Sequence, residues 1–147
     1  MSTAGLSPQH GDVPHAVPTP VSAPYWAAAA RGELLFQVCT FCATVNAPPT
    51  ELCRECQFDG LRWEASSRRA TLYSWTVVHR RVTPAFVTPY APAIVDVDEG
   101  FQLVTNIIGT SVDDIRAGMR LQIEFHHVRG NLHLPYARPA RPSHPRR

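Results

Sequence analysis

A chain of 147 residues with 44% apolar and 18% charged side chains is globular in composition, with room for one ordinary core but not for two large domains. All 14 basic residues are arginine and the formal net charge is only +2, too little for a protein that holds nucleic acid by charge alone. Four of those arginines stand in the last ten residues, and the 14 prolines crowd the two ends.

Residues 1–21 mix Pro, Ser, Thr, Gly and Ala with almost nothing to bury, so they are expected to form a disordered tail. They carry neither early positive charge nor the apolar run of a leader. The stretch YWAAAARGELLFQV is too short for a bilayer and is interrupted by Arg31, Gly32 and Glu33. The chain is therefore expected to be soluble and cytoplasmic, where thiols stay reduced. A helical segment is predicted over 22–36, with Ser22 as N-cap, Pro24 in the first turn and Gly32 at the C-terminal cap. Tyr25 and Trp26 are the groups it would dock with.

LLFQV and LRW then flank a cysteine segment, assigned to 37–63, as outgoing and returning strands. Residues 64–140 read as almost wholly β: RATLYSWTVVHRRV, APAIVDVD and FQLVTNIIG around the turn DEG, and RLQIEFHHV turning through RGN into LHLPY. In the fourth of these, Leu121, Ile123 and Phe125 alternate with Gln122, Glu124 and His126. Between the third and fourth, TSVDDIRAGM has capping-box spacing at Ser111 and Asp114, and Gly118 to end one helical turn. Five strands with a short helix after the third indicate a mainly β chain closed as an OB-fold barrel, with a split sandwich as the alternative. Residues 141–147 return to tail composition.

All four cysteines, Cys39, Cys42, Cys53 and Cys56, form two C-x-x-C pairs separated by ten residues. A thioredoxin-like pair would open a helix in a βαβ unit, and neither pair does; disulfides would need an oxidising compartment. Tetrahedral zinc fits both facts, because each C-x-x-C converges two thiolates from one turn and two turns complete the coordination sphere. Such a closed site is structural, leaving no position for water or substrate. It also stands in for a core that so few apolar residues cannot build.

No G-x-S-x-G, H-E-x-x-H or phosphate-cradling glycine loop occurs, and Ser74 reads as an ordinary strand residue. His126 and His127 are adjacent on a strand and point to opposite faces, which defeats joint ligation. Asp96, Asp98 and Glu99 surround a hairpin turn, where acids are common for local reasons. The candidate partner or ligand contacts are Trp75, His79, Arg80 and Arg81 at the end of the aromatic strand, with Phe86 and Tyr90 in the proline-punctuated loop that follows.

The order of these pieces, YW, CTFC, CREC, TLYSWTVVHR, APAIVDVDEGFQLVTNIIG, DIRAGMRLQIEF and LPYARPA, resembles small proteins built from a rubredoxin-like zinc ribbon and an OB-fold, over about residues 22–140. The resemblance implies a non-catalytic accessory subunit of thiolase-like enzymes that act on acyl-CoA thioesters. Examples are retro-aldolases of steroid side-chain degradation, the archaeal acetoacetyl-CoA thiolase assembly and acyltransferases. Some relatives work beside a hotdog-fold enoyl-CoA hydratase. It also implies that the four cysteines hold one structural zinc, and that a CoA thioester is contacted together with the partner. A single-stranded nucleic-acid binder with Tyr73, Trp75 or Phe86 as stacking platforms is the alternative, disfavoured by the low charge.

Overall fold

The computed structural model describes residues 5–142. A short helix α1 (Ala23–Ala29) leads into a three-stranded antiparallel ribbon of β1 (Leu35–Cys39), β2 (Val45–Asn46) and β3 (Leu61–Ala65), with β1 central. Five further strands follow: β4 (Arg69–Trp75), β5 (Ala91–Val97), β6 (Phe101–Ile107), β7 (Arg120–Arg129) and β8 (Leu132–Pro139). They close in the order β4-β5-β6-β8-β7, with β7 returning to β4 and only β6 and β8 parallel. This closed five-stranded barrel is an OB-fold, and a single 3₁₀ turn (Val112–Asp114) sits between its third and fourth strands, as expected.

Period-2 alternation builds the barrel core. Ala70 and Leu72 of β4, Ala91, Ala93, Val95 and Val97 of β5, Leu121 and Ile123 of β7, and Ala137 of β8 all point inward and are buried. One face of the ribbon joins them, because Leu34, Phe36 and Val38 stand at every second position and are buried in the same cluster. Phe36 meets Phe101 of β6 at a ring-centroid distance of 5.3 Å. Gly32, at a φ of +79°, turns the chain out of α1 in the left-handed region that a cap requires. No helix among the described residues is long and apolar enough to cross a membrane.

The helical segment predicted over 22–36 is shorter, ending at Ala29 with β1 starting at Leu35, and Ser22 makes no side-chain cap bond; its hydroxyl meets that of Thr19 at 3.0 Å. Two larger differences lie in the barrel and at the N-terminus. The first barrel strand, anticipated as RATLYSWTVVHRRV, ends at Trp75, and beyond it only Val78 bridges to Tyr90. Its partner β5 begins at Ala91, so after the Thr76 N–H bond to the Pro92 carbonyl only Val78 finds a pairing neighbour, and Pro84 and Pro89 supply no ladder donors in the loop opposite. The second difference lies at the N-terminus. Residues 5–21, counted within a disordered tail, follow the barrel wall, with Leu6, Gln9 and Val13 buried. Leu6 donates to the Thr110 carbonyl at 2.8 Å and accepts from the Gly109 N–H at 2.8 Å, while the Gln9 N–H donates to the Tyr136 hydroxyl at 3.0 Å. Composition averages over the segment; three well-spaced anchors suffice to dock it. The basic tail predicted for 141–147 lies, beyond Pro142, outside the described residues.

Gln9 also clasps the 82–90 loop, donating to the Val87 carbonyl at 2.9 Å and accepting from the Val87 N–H at 2.8 Å. Each such bond contributes about 0.5–1.5 kcal/mol net. Gln9→Ala is therefore expected to speed hydrogen exchange at the Val87 amide about tenfold, a local opening that leaves barrel amides such as that of Val95 unchanged. An unaltered Val87 rate would show that the loop is held by something else.

Candidate metal centre

The two C-x-x-C turns are the same structure built twice. In the first, the Cys39 N–H donates to the Thr44 carbonyl at 2.9 Å and the Ala43 N–H to the Cys39 carbonyl at 3.0 Å; in the second, the Cys53 N–H donates to Phe58 at 2.9 Å and the Gln57 N–H to Cys53 at 2.9 Å. Ala43 and Gln57, each four residues after its first cysteine, share a φ of +62°. Neither is glycine, so each turn carries a small strain that the surrounding bonds must hold. Such a knuckle points two thiols at one point, and β1 and β2 bring the two knuckles face to face.

The four sulfurs lie within 4.8 Å of one another, with Cys39–Cys56 and Cys42–Cys53 each at 3.6 Å. A tetrahedron with metal–sulfur bonds of about 2.3 Å has edges of about 3.8 Å, so the arrangement fits one zinc-sized cation with no ligand position left over. The thiol environments agree. Backbone donation from Cys56 lowers the Cys53 thiol to about 6. At Cys56, donation from Phe58 is outweighed by burial and by the neighbouring sulfurs, which push it up to about 12. Sulfurs this close do not all ionise unaided, and a divalent cation among them would permit it.

Asn46 holds the knuckles in register. Buried to 1% exposure, it donates from Nδ2 to the Thr44 carbonyl at 3.0 Å, with the Cys53 sulfur at 3.6 Å, and accepts at Oδ1 from the Arg54 N–H at 2.9 Å. Gln37 does the same for the spacer, pairing both ways with the Thr50 backbone at 3.1 and 2.9 Å. Neither amide was anticipated; the available signal was a polar residue alone in each of the short apolar runs LLFQV and VNA.

The remaining candidates are dispersed. Trp75 packs half-buried against the barrel core, and Phe86 stacks on Tyr90 with centroids 5.4 Å apart, while His79, Arg80 and Arg81 are exposed outside any strand. His126 lies edge-on to Tyr136, whereas His127 contacts the Gly130 carbonyl at 2.8 Å through Nε2, so the two rings do serve different faces. The hairpin acids are structural. The Arg120 guanidinium forks onto Asp98 at 2.9 and 2.8 Å and holds its carboxyl below the usual range, while Glu99 accepts from Ser66 and Ser67 and ties the β3–β4 connection to the barrel. A cleft of about 600 Å³ opens between α1, the ribbon and β6, lined by Trp26, Trp63, Pro48, Phe101 and Val104 among others. Among the described residues, the cysteines are the one group of His, Cys, Asp and Glu placed to hold a metal ion.

Comparison with known proteins places both modules. Residues 26–62 match the model described as the ChsH2 rubredoxin-like zinc ribbon domain, and residues 63–126 the model of the ChsH2 C-terminal OB-fold domain. A probable enoyl-CoA hydratase alpha subunit of Thermomonospora curvata is 36% identical over 121 residues, which is 80% of this chain but only 37% of that protein. A DUF35 domain-containing scaffold protein of Methanothermobacter thermautotrophicus is 30% identical over 67% of this chain and 76% of its own length. The counterpart in Methanocaldococcus jannaschii is 28% identical over 62% and 66%. Among solved structures, a chain of an Ltp2-ChsH2(DUF35) aldolase superposes with a TM-score of 0.79 at 31% identity, covering 85% of this chain and 98% of that one. A DUF35 protein from Sulfolobus solfataricus, 12% identical with a TM-score of 0.60, has the same fold.

Proposed function

The chain belongs to the ChsH2 (DUF35) family of zinc-ribbon and OB-fold proteins, and from that membership we propose that it is a non-catalytic, zinc-binding accessory subunit of a thiolase-like enzyme that acts on acyl-CoA thioesters. One observation carries the reading: the aldolase chain, 31% identical over 98% of its length, matches ribbon and barrel together. In this reading Cys39, Cys42, Cys53 and Cys56 bind one structural zinc, and the partner supplies the catalytic groups of a retro-aldol cleavage of a steroid side-chain thioester. The enoyl-CoA hydratase name of the Thermomonospora relative supports a hydratase as a further neighbour, since this chain spans 37% of that longer protein. Trp75, Phe86 and Tyr90, together with His79, Arg80 and Arg81, would face the partner and help frame its acyl-CoA site in the cytoplasm.

The test is a tagged pull-down from the native host, with proteins identified by mass spectrometry and zinc quantified in the same eluate. The expected result is a thiolase-like chain in stoichiometric amount, about one zinc per protomer, and retro-aldol turnover by the pair but not by this chain alone. Zinc without a thiolase-like chain, or co-eluting nucleic acid in its place, would overturn the proposal.

A further inference from the structure

The knuckles do more than enclose four sulfurs. Phe41, between the first pair of cysteines, is 76% exposed, and Phe58, just past the second pair, is 41% exposed. Their rings meet at 5.7 Å, so the two turns present one aromatic pair at the tip of the ribbon, with Leu52, 44% exposed, in the spacer before Cys53. Two large exposed rings in contact make one contiguous apolar patch, not two scattered side chains. The position is also built. The Gly60 carbonyl receives both the Thr40 N–H at 2.9 Å and the Thr40 hydroxyl at 2.7 Å, and a side chain at Gly60 would collide with the Phe58 ring.

The charges of the spacer and second knuckle, on both sides of Phe58 in sequence, run against those of the chain. Glu51, Glu55 and Asp59 are exposed with Arg54 among them, three negative charges against one positive, giving −2 within a protein of net +2. None of the four is in an ion pair among the described residues, although Arg62 and Glu64 pair close by on β3. An aromatic knob carried on an acidic segment is disfavoured at phosphate backbones and anionic lipid and is complementary to an apolar pocket with a basic rim.

We infer that the metal knuckles present Phe41 and Phe58 as an aromatic anchor that seats in an apolar, basic-rimmed pocket of the thiolase-like partner. The inference rests on the accessory-subunit reading and deepens it: the cation's task is to hold two rings at a fixed spacing and direction. Anchors of this kind, rigid and aromatic, carry a disproportionate share of interface energy.

The experiment repeats the pull-down with Phe41→Ser, Phe58→Ser and the double charge reversal Glu55→Arg with Asp59→Arg, measuring zinc and captured thiolase-like chain together. Phe41→Ser removes a ring that is mostly in solvent, so zinc is expected to stay at the wild-type level while recovery of the partner falls at least tenfold; the charge reversal is expected to weaken capture most at low salt. If Phe58→Ser loses zinc, Phe41→Ser decides. Undiminished capture by Phe41→Ser and by the charge reversal overturns this inference and leaves the accessory-subunit reading intact. Failure of the wild type to capture any thiolase-like chain overturns both. A wild-type dimer that Phe41→Ser converts to monomer, with partner capture unchanged, would assign the knob to a second copy and also overturn it.

Discussion

Cys53→Ser is expected to give a protein whose barrel is folded, whose ribbon from about Thr40 to Gly60 is not, and which no longer holds zinc at micromolar chelator concentrations. Burial sets the size of the effect. Between Thr40 and Gly60 the only fully buried side chains are Asn46 and Cys53 itself, and both serve the metal site. Val45 and Ala47 lean on the shared core but are only partly covered. Nothing else offsets the entropy of ordering this stretch, whereas binding of a structural zinc contributes on the order of 10 kcal/mol to such peptides. A hydroxyl in place of the thiolate leaves three sulfurs and an open position, and the strained turns at Ala43 and Gln57 lose what holds them.

The readout is residue-resolved hydrogen exchange. The amides of Ala43, Cys53 and Gln57, protected in the wild type by bonds of 2.9–3.0 Å, should exchange at nearly the rate of an unfolded chain. Those of Val95 and Ile123 should stay protected, and chelation of the wild type should reproduce the pattern. Retained protection at Ala43 and Gln57 in a zinc-free protein would show that the ribbon folds without a cation.

The metal site was legible in sequence because its information is local: two C-x-x-C turns place their own sulfurs, and the count of four completes a sphere. The barrel strands were legible for a similar reason, since Leu121 and Ile123 declare an inner face by spacing alone. What escaped was set by partners distant in sequence. Thr76 to Val82 read as strand by propensity, yet pairing depended on where β5 begins. Residues 5–21 read as tail by composition, yet Leu6 and Gln9 meet Thr110, Tyr136 and Val87 across gaps of 78 residues or more. Phe41 and Phe58 were invisible as a pair, because only the matched knuckles bring positions seventeen apart to 5.7 Å.

Phe36→Ala is expected to separate two roles that the cysteine variants remove together. Phe36 is 4% exposed on β1, its ring lies 32° off the plane of Phe101, and Leu34 and Val38 flank it in the cluster shared with the barrel. Truncating a buried phenylalanine costs about 3–5 kcal/mol, which for a chain of this size lowers the thermal midpoint by roughly 10 °C. The side chain is not one of the four metal-ligating groups, so zinc should remain at about one per chain. The damage falls on the joint. With a cavity between β1 and β6, the ribbon keeps its internal geometry but loses its fixed angle to the barrel, and a partner that must engage both modules at once pays to restore it. If the accessory-subunit proposal holds, capture of the proposed thiolase-like partner should therefore weaken although zinc and both modules persist, and Phe36→Leu, which refills most of the volume, should recover most of it. Wild-type capture by a zinc-loaded, destabilised Phe36→Ala would mean that the partner reads only one module, and that the shared core serves stability alone.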